Sequence, residues 1–246
     1  MKKAYFLVAC LLVSLTGQGQ TPTQIKLVSG DYPPFTGQSL PGGGLVTRLV
    51  EATFAQAFDG AQIQVAFEPW ARGLANTENQ KYQATFPYFR NEQRASAFYF
   101  SQPVIFIENV FYYHRSENAE NFDKKTICLP LGYAKGSLGE LIAAHDMTLI
   151  RPASMLQCFK MLAKKRVDFL ACSKRVGHFF TASYPQFQGL AFRPSGSAVA
   201  PVPLYAIFPK KNGLAIVTRF NVALQQLKRS GGYQKIIDSS FVKENL

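Results

Sequence analysis

IKLVSGDYPPFTGQSLPGGGLVTRLVEATFAQAFDGAQIQVAF, residues 25–67, carries a strand, a turn, a helix and a second strand in immediate succession. Residues 25–29 alternate apolar and polar as a short strand, which breaks at Asp31-Tyr32-Pro33-Pro34-Phe35, where two prolines force an extended turn. Pro41-Gly42-Gly43-Gly44 then precedes a helix. Leu45, Val46, Leu49, Val50, Phe54, Ala57 and Phe58 recur at the spacing that gathers side chains on one helical face. The glycine run is not followed by a Lys-Ser or Lys-Thr pair and reads as a turn rather than a phosphate loop. Residues 63–67 form the next strand, residues 71–79 a helix and residues 84–87 a third strand. Strand, helix, strand, helix, strand predicts an α/β fold with a parallel sheet.

The same rhythm restarts after an extended crossing over residues 104–114. Residues 126–130 read as a strand, 137–144 as a helix and 148–150 as a strand. Met155, Leu156, Phe159, Leu162 and Ala163 make the buried stripe of a helix starting near Ser154, and residues 167–172 form another strand. Two such units imply two α/β lobes. A second extended segment, residues 204–209, leads into a helix over residues 215–229, whose face is Ile216, Val217, Phe220, Leu224 and Leu227 and whose end is marked by Gly231-Gly232. Two crossing segments between two lobes predict a hinge with a cleft between them.

Lys2 and Lys3, followed by an apolar run over residues 4–15 that ends in small and polar residues, read as a secretory signal peptide spanning residues 1–19, cleaved near Gly19. Cys10 lies inside the apolar run, ahead of Leu11, Leu12 and Val13, which argues against lipoprotein acylation. No later segment approaches the roughly 18 uninterrupted apolar residues of a membrane span. About 227 residues remain, enough for one large or two smaller domains. The whole chain carries a net charge of +12; without Lys2 and Lys3 it has 25 basic and 15 acidic side chains, hence +10. This excess suits anionic ligands, but no block of like charge supports nucleic-acid binding.

Cys128, Cys158 and Cys172 survive cleavage, and an oxidising compartment permits one disulfide among them. Cys128 with Cys158 is preferred, since Cys172 sits in an apolar strand-like run where a free thiol behaves as a small hydrophobe; Cys128 with Cys172 stays open. There is no CxxC, and His114, His145 and His178 are far apart, so neither a metal nor a cofactor is expected.

Residues 69–103, PWARGLANTENQKYQATFPYFRNEQRASAFYFSQP, join an aromatic-arginine pair to a second arginine cluster. Trp70 and Arg72 open the stretch, and Arg90 and Arg94 follow among Tyr88, Phe89 and Phe98. Arginine beside aromatic rings clamps planar or carboxylated ligands by bidentate hydrogen bonds and stacking. Gly132-Tyr133, after the first strand of the second lobe, offers backbone N–H groups near the Ser137 helix start and a ring to close the site. No G-x-S-x-G, paired-histidine motif or nucleophile beside a base points to catalysis, and Glu68 is the one carboxylate near Trp70 considered as an acid or base.

The Asp31-Tyr32-Pro33-Pro34-Phe35 turn, the segment from Arg94 that ends in Phe100-Ser101-Gln102-Pro103, the LAKKRVD run over residues 162–168 and the closing Ser230-Gly231-Gly232-Tyr233 occur in an order and spacing that resemble the bacterial extracellular solute-binding proteins of family 3. These are the periplasmic receptors of ATP-driven amino-acid importers, and the resemblance covers nearly the whole chain after the leader. It implies a two-lobed periplasmic-binding-protein fold, each lobe a mainly parallel sheet flanked by helices, joined by a two-strand hinge. Residues 20–107 plus 204–246 would form the first lobe and 108–203 the second. It further implies a monomer that closes on a small solute without a cofactor and hands it to the membrane permease of an ATP-driven importer. A dehydratase-like enzyme and a non-transporting solute sensor are the alternatives on the same fold.

Carried over residue by residue, the resemblance makes Tyr32 or Phe35 the aromatic that packs on the ligand and Arg94 the anchor of its carboxylate. Small hydroxyl residues usually precede that arginine, but Pro87, Tyr88 and Phe89 stand here. An aspartate usually pairs with the ligand ammonium after the RVD strand, but Ser173 stands here, followed by Lys174. A buried ammonium without a carboxylate partner is strongly disfavoured. The implied ligand is therefore a carboxylated or otherwise anionic solute, held by Arg94 between Tyr32 and Trp70, with Arg72, Arg90, Tyr88 and Tyr133 on the cleft side.

Overall fold

The computed structural model describes residues 24–194 and 201–241. The expected leader, with Cys10 and the cleavage point near Gly19, lies outside the described residues. The chain begins with β1 (Gln24–Ser29), α1 (Leu45–Ala57), β2 (Gln62–Phe67), α2 (Trp70–Glu78) and β3 (Ala84–Tyr88). In β1, exposed Gln24 and Lys26 alternate with buried Ile25 and Leu27 before Val28 and Ser29 are buried as well. The strand thus starts at the rim and ends in the interior. It pairs in parallel with β2 on one side and β3 on the other, as the strand-helix rhythm predicts.

Next come α3 (Glu92–Ala97), β4 (Phe98–Phe100), β5 (Ile105–Ile107) and β6 (Asn109–His114), the last two being the first crossing. The second lobe continues with β7 (Thr126–Cys128), α4 (Leu138–Ala144), β8 (Thr148–Ile150), α5 (Met155–Ala163), β9 (Phe169–Ser173), α6 (Lys174–Ser183) and β10 (Leu190–Pro194). The chain returns through β11 (Val202–Pro209) and ends in α7 (Leu214–Arg229) and α8 (Gly232–Phe241).

Two sheets result, ordered β2-β1-β3-β11-β4, with β5 also on β11, and β10-β6-β9-β7-β8. Each has a parallel nucleus, β2-β1-β3 or β9-β7-β8, extended by antiparallel strands. The antiparallel members include the crossing segments. β6 enters the second sheet against β9, and β11 enters the first between β3 and β4. A strand reached without a helical crossover arrives antiparallel to its neighbour, so the sequence pattern of the parallel units could not show it.

The first lobe's core is an aromatic stack behind the sheet. Phe54 of α1 lies 5.0 Å from Phe220 of α7 and 6.1 Å from Phe208 of β11, all three fully buried. The contact explains why the returning chain belongs to this lobe: its apolar face completes the one α1 begins. Gly231, with φ +76°, ends α7 as expected, but the chain then turns into α8, which packs on α1 and α7. In the second lobe Cys128 of β7 and Cys158 of α5 are bonded, with Cα atoms 5.6 Å apart, and Cys172 is a buried free thiol. Among the described residues no helix is long and apolar enough to cross a membrane, and no group of three metal-ligating side chains gathers.

Candidate functional site

The carboxyl ends of β1, β3 and β7 lead into residues that line one cavity shared by the two lobes, at the strand ends where ligands of open α/β sheets bind. β1 ends at Ser29, whose hydroxyl donates to the Phe86 carbonyl at 2.6 Å and locks β1 to β3. The turn that follows is pinned by Thr36 Oγ1, which donates to the Gly30 carbonyl at 2.7 Å, and by the Tyr32 N–H, which donates to the Thr36 carbonyl at 2.8 Å. Tyr32 is therefore presented by a rigid turn, 6% exposed, with Tyr133 of the other lobe edge-on at 5.7 Å.

Trp70, the first residue of α2, closes the opposite side. Its ring meets Tyr88 edge-on at 5.4 Å and Tyr133 edge-on at 6.3 Å. The two glycines beside it have a steric reason. A Cβ on Gly30 would lie 2.4 Å from Trp70 Cε2, and one on Gly132, where φ is +81°, would lie 2.9 Å from Trp70 Cβ. The indole thus reaches from the first lobe onto the backbone of the second only because both neighbours lack side chains.

Arg94 completes the first-lobe wall. Asn91 caps α3 by accepting from the Arg94 N–H at 2.8 Å, and Arg94 Nη1 donates to the Phe89 carbonyl at 2.9 Å. The guanidinium lies 4.7 Å from the centre of the Tyr88 ring. Partial burial lowers the Arg94 pKa, but a guanidinium keeps its charge in any protein. Among the described residues no carboxylate forms an ion pair with it.

From the second lobe come Gly132, Tyr133 and Ala134, in the loop after β7. Leu131 N–H donates to the Pro152 carbonyl at 2.9 Å, and Arg151 Nη2 donates to the Tyr133 carbonyl at 2.9 Å, so the loop is clamped to the end of β8. Tyr133 reaches back across the cleft, its hydroxyl 3.5 Å from the Asp31 carbonyl. With Pro87, Phe89 and Leu204 these residues line a small cavity of about 30 Å³. The two lobes meet here through aromatic side chains, with Tyr133 edge-on to both Tyr32 and Trp70.

Burial, above all other causes, raises the phenol pKa values of Tyr32, Tyr133, Tyr112 and Tyr88, the last pushed up to about 12. An unfolded chain ionises its tyrosines near pH 10, so above that pH the unfolded state holds fewer protons than the native one and stability falls. The contribution is intact below pH 10 and is lost as pH rises toward 12 and beyond. We expect denaturant midpoints to fall between pH 9.5 and 11.5, with these four phenols still silent at 295 nm at pH 11. Ionisation of every tyrosine at pH 11 in the folded protein would contradict the assigned burial.

Of the residues expected at the site, Tyr32, Trp70, Tyr88, Arg94 and Tyr133 stand together on the wall. Phe35 is fully buried behind Tyr32, 5.2 Å from its ring, and belongs to the core. Arg72 lies exposed, two residues after Trp70 and hence about 200° around the helix from it. Arg90 is exposed and stacks on Phe100 at 5.2 Å. Neither arginine lines the cavity. Gly132 packs onto Trp70. Gly30, Ala134 and Leu204 carry no pattern that would have singled them out. Glu68 accepts hydrogen bonds from Tyr82, Asn76 and Lys81, which hold its pKa low, Tyr82 contributing most. It is an anchor for α2, away from the cavity lining.

A family model for the bacterial extracellular solute-binding proteins, family 3, matches residues 26–243. No curated protein matches the sequence. Among solved structures, an ancestral arginine-binding protein bound to arginine is 16% identical with a TM-score of 0.77, over 90% of this chain and 99% of that one. AbpA, an amino acid ABC transporter substrate-binding protein from Streptococcus pneumoniae bound to L-arginine, is 17% identical with a TM-score of 0.75, over 90% and 96%. The ancestral amino-acid-binding protein AncCDT-1, a precursor of cyclohexadienyl dehydratase, is 15% identical with a TM-score of 0.72, over 89% and 95%. At these identities the likeness is one of fold.

Proposed function

We propose that this chain, which belongs to the bacterial extracellular solute-binding proteins of family 3, captures a carboxylated small solute in the periplasm and delivers it to the permease of an ATP-driven importer. Residues 20–107 plus 204–246 act as one lobe and 108–203 as the other, and the protein works as a monomer after loss of its leader. Ligand contacts from both lobes favour closure by their differential affinity for the closed form.

The observation that carries the reading is Arg94. Its partly buried guanidinium faces the cavity over the Tyr88 ring, with only Nη1 engaged among the described residues. A carboxylate fits the free side of that fork and offsets the desolvation of the charge. The rings of Tyr32, Trp70 and Tyr133 would then hold the apolar body, and no carboxylate lines the cavity to receive an ammonium.

Trp70 is the only tryptophan and stands on the wall, so its fluorescence reports occupancy directly. Titration with carboxylated solutes that lack an amine is expected to change the emission saturably, whereas L-arginine, whose ammonium meets no acid on the lining, should leave it flat. Saturable binding of ordinary amino acids with no response to carboxylates lacking an amine would overturn the reading. Chemical change of a bound solute, seen by mass spectrometry, would point instead to a dehydratase-like reaction.

A further inference from the structure

Arg94 is the one charged side chain on the cavity lining, and among the described residues no carboxylate, amide or aliphatic hydroxyl joins it there. The backbone acceptors of the lining are largely taken. The Tyr32 carbonyl accepts from the Phe35 N–H at 2.9 Å, the Leu204 carbonyl from the Val104 N–H at 2.8 Å and the Trp70 carbonyl from the Tyr88 hydroxyl at 3.4 Å. The Phe89 and Tyr133 carbonyls are held by Arg94 and Arg151. An ammonium with N–H groups therefore finds little to bond to, and its desolvation goes uncompensated.

What the lining offers instead is aromatic rings. The Tyr133 ring stands at 80° to Tyr32 and at 82° to Trp70, so it is close to perpendicular to both. Tyr88 is engaged by the Arg94 guanidinium, which leaves the other three rings for the solute. Burial keeps the Tyr32 and Tyr133 phenols protonated well above neutral pH, so they present neutral rings and no phenolate. The Asp31 carboxylate, close enough to act on Tyr133, is exposed and off the lining, and its field favours positive charge without contact. Neutral aromatic walls recognise a cation that has no N–H to satisfy: a quaternary ammonium, whose charge is spread over methyl groups that pack on the rings. We propose that the solute is a betaine, a small carboxylate carrying a permethylated ammonium, with its carboxylate on Arg94 and its methylated head among Tyr32, Trp70 and Tyr133. The inference rests on the carboxylate reading of Arg94 and names the group that accompanies the carboxylate. A small cavity suits so compact a solute. Tyr133 stands on a loop of the second sheet, and Tyr32 and Trp70 on elements of the first, so the head sets how far the two close.

Glycine betaine and 3,3-dimethylbutyrate share shape and carboxylate and differ in one atom, a quaternary nitrogen in place of a quaternary carbon. Glycine pairs the same carboxylate with an unmethylated ammonium. Calorimetric and Trp70 fluorescence titrations of the purified protein are expected to show glycine betaine binding at least about tenfold tighter than 3,3-dimethylbutyrate, the worth of a desolvated cation against aromatic faces, and no response to glycine. Tyr133→Leu should cut that ratio to about threefold or less, whereas Tyr133→Phe, which keeps a ring, should preserve it. Should either variant fail to fold, judged by circular dichroism, the wild-type preference alone decides. Arg94-dependent binding of 3,3-dimethylbutyrate as tight as that of glycine betaine, or tighter, overturns this inference and leaves the carboxylate reading standing. Glycine binding on a par with glycine betaine overturns it as well. Absence of saturable binding by both methylated acids sinks the two readings together.

Discussion

Arg94→Ala is expected to weaken binding of a carboxylated solute by about 2–5 kcal/mol, roughly 30-fold to several thousand-fold in Kd. The size follows from what the substitution leaves behind. In a closed cleft the solute carboxylate is taken out of water, and without the guanidinium it has no opposite charge on the lining. Arg94→Lys keeps the charge but loses the planar fork and the stacking on Tyr88, and should recover only part of the affinity. Stability should change by less than about 1 kcal/mol, because the side chain gives up one bond to the Phe89 carbonyl and no ion pair among the described residues. Calorimetry on wild type and both variants provides the comparison. An unchanged Kd in Arg94→Ala would remove Arg94 from the binding machinery.

Loss of the Cys128–Cys158 bridge is expected to cost about 3–4 kcal/mol of stability. The bond closes a loop of 30 residues in the unfolded chain, and that loop contains α4 and β8 as well as the clamped Tyr133 segment. For a protein of this size the melting temperature should fall by roughly 6–15 °C in Cys128→Ser/Cys158→Ser, or in wild type after reduction. Cys172 supplies an internal control. It is buried, and desolvation raises its thiol pKa, so it should react with thiol reagents only after denaturation. Scanning calorimetry with and without reductant tests the bridge, and a shift below about 2 °C would show that the second lobe does not depend on it.

Residues of the parallel nuclei were legible because their elements are built from local periodicity. The helix read over residues 45–58 is α1, and the stripe Met155, Phe159 and Leu162 is the buried face of α5. α6 escaped notice because only Val176, Gly177 and Phe180 are buried in it, too narrow a stripe behind two leading basic residues. α3 is a six-residue helix whose one local signal, Asn91 as cap, is a single residue. Among the residues on the cavity wall, Tyr32, Trp70 and Tyr133 were readable as residues at strand ends or helix starts, and Arg94 from its aromatic neighbours and the family resemblance. Phe35 and Arg72 were not separable from them, since one residue of turn or two of helix decides which way a side chain faces.

By itself the sequence determined two α/β lobes, a cysteine set with two possible bridges and a stretch that joins aromatic residues to arginines. These follow from near-neighbour spacing and residue chemistry. Only the tertiary structure decided that β11 enters the first sheet antiparallel between β3 and β4, and that Cys128 meets Cys158. It likewise decided that Trp70 lies between Gly30 and Gly132, and that Ser173 is buried beside Tyr32. Each of these is a contact between segments far apart in the chain, where geometry depends on how whole elements pack and no local periodicity records it.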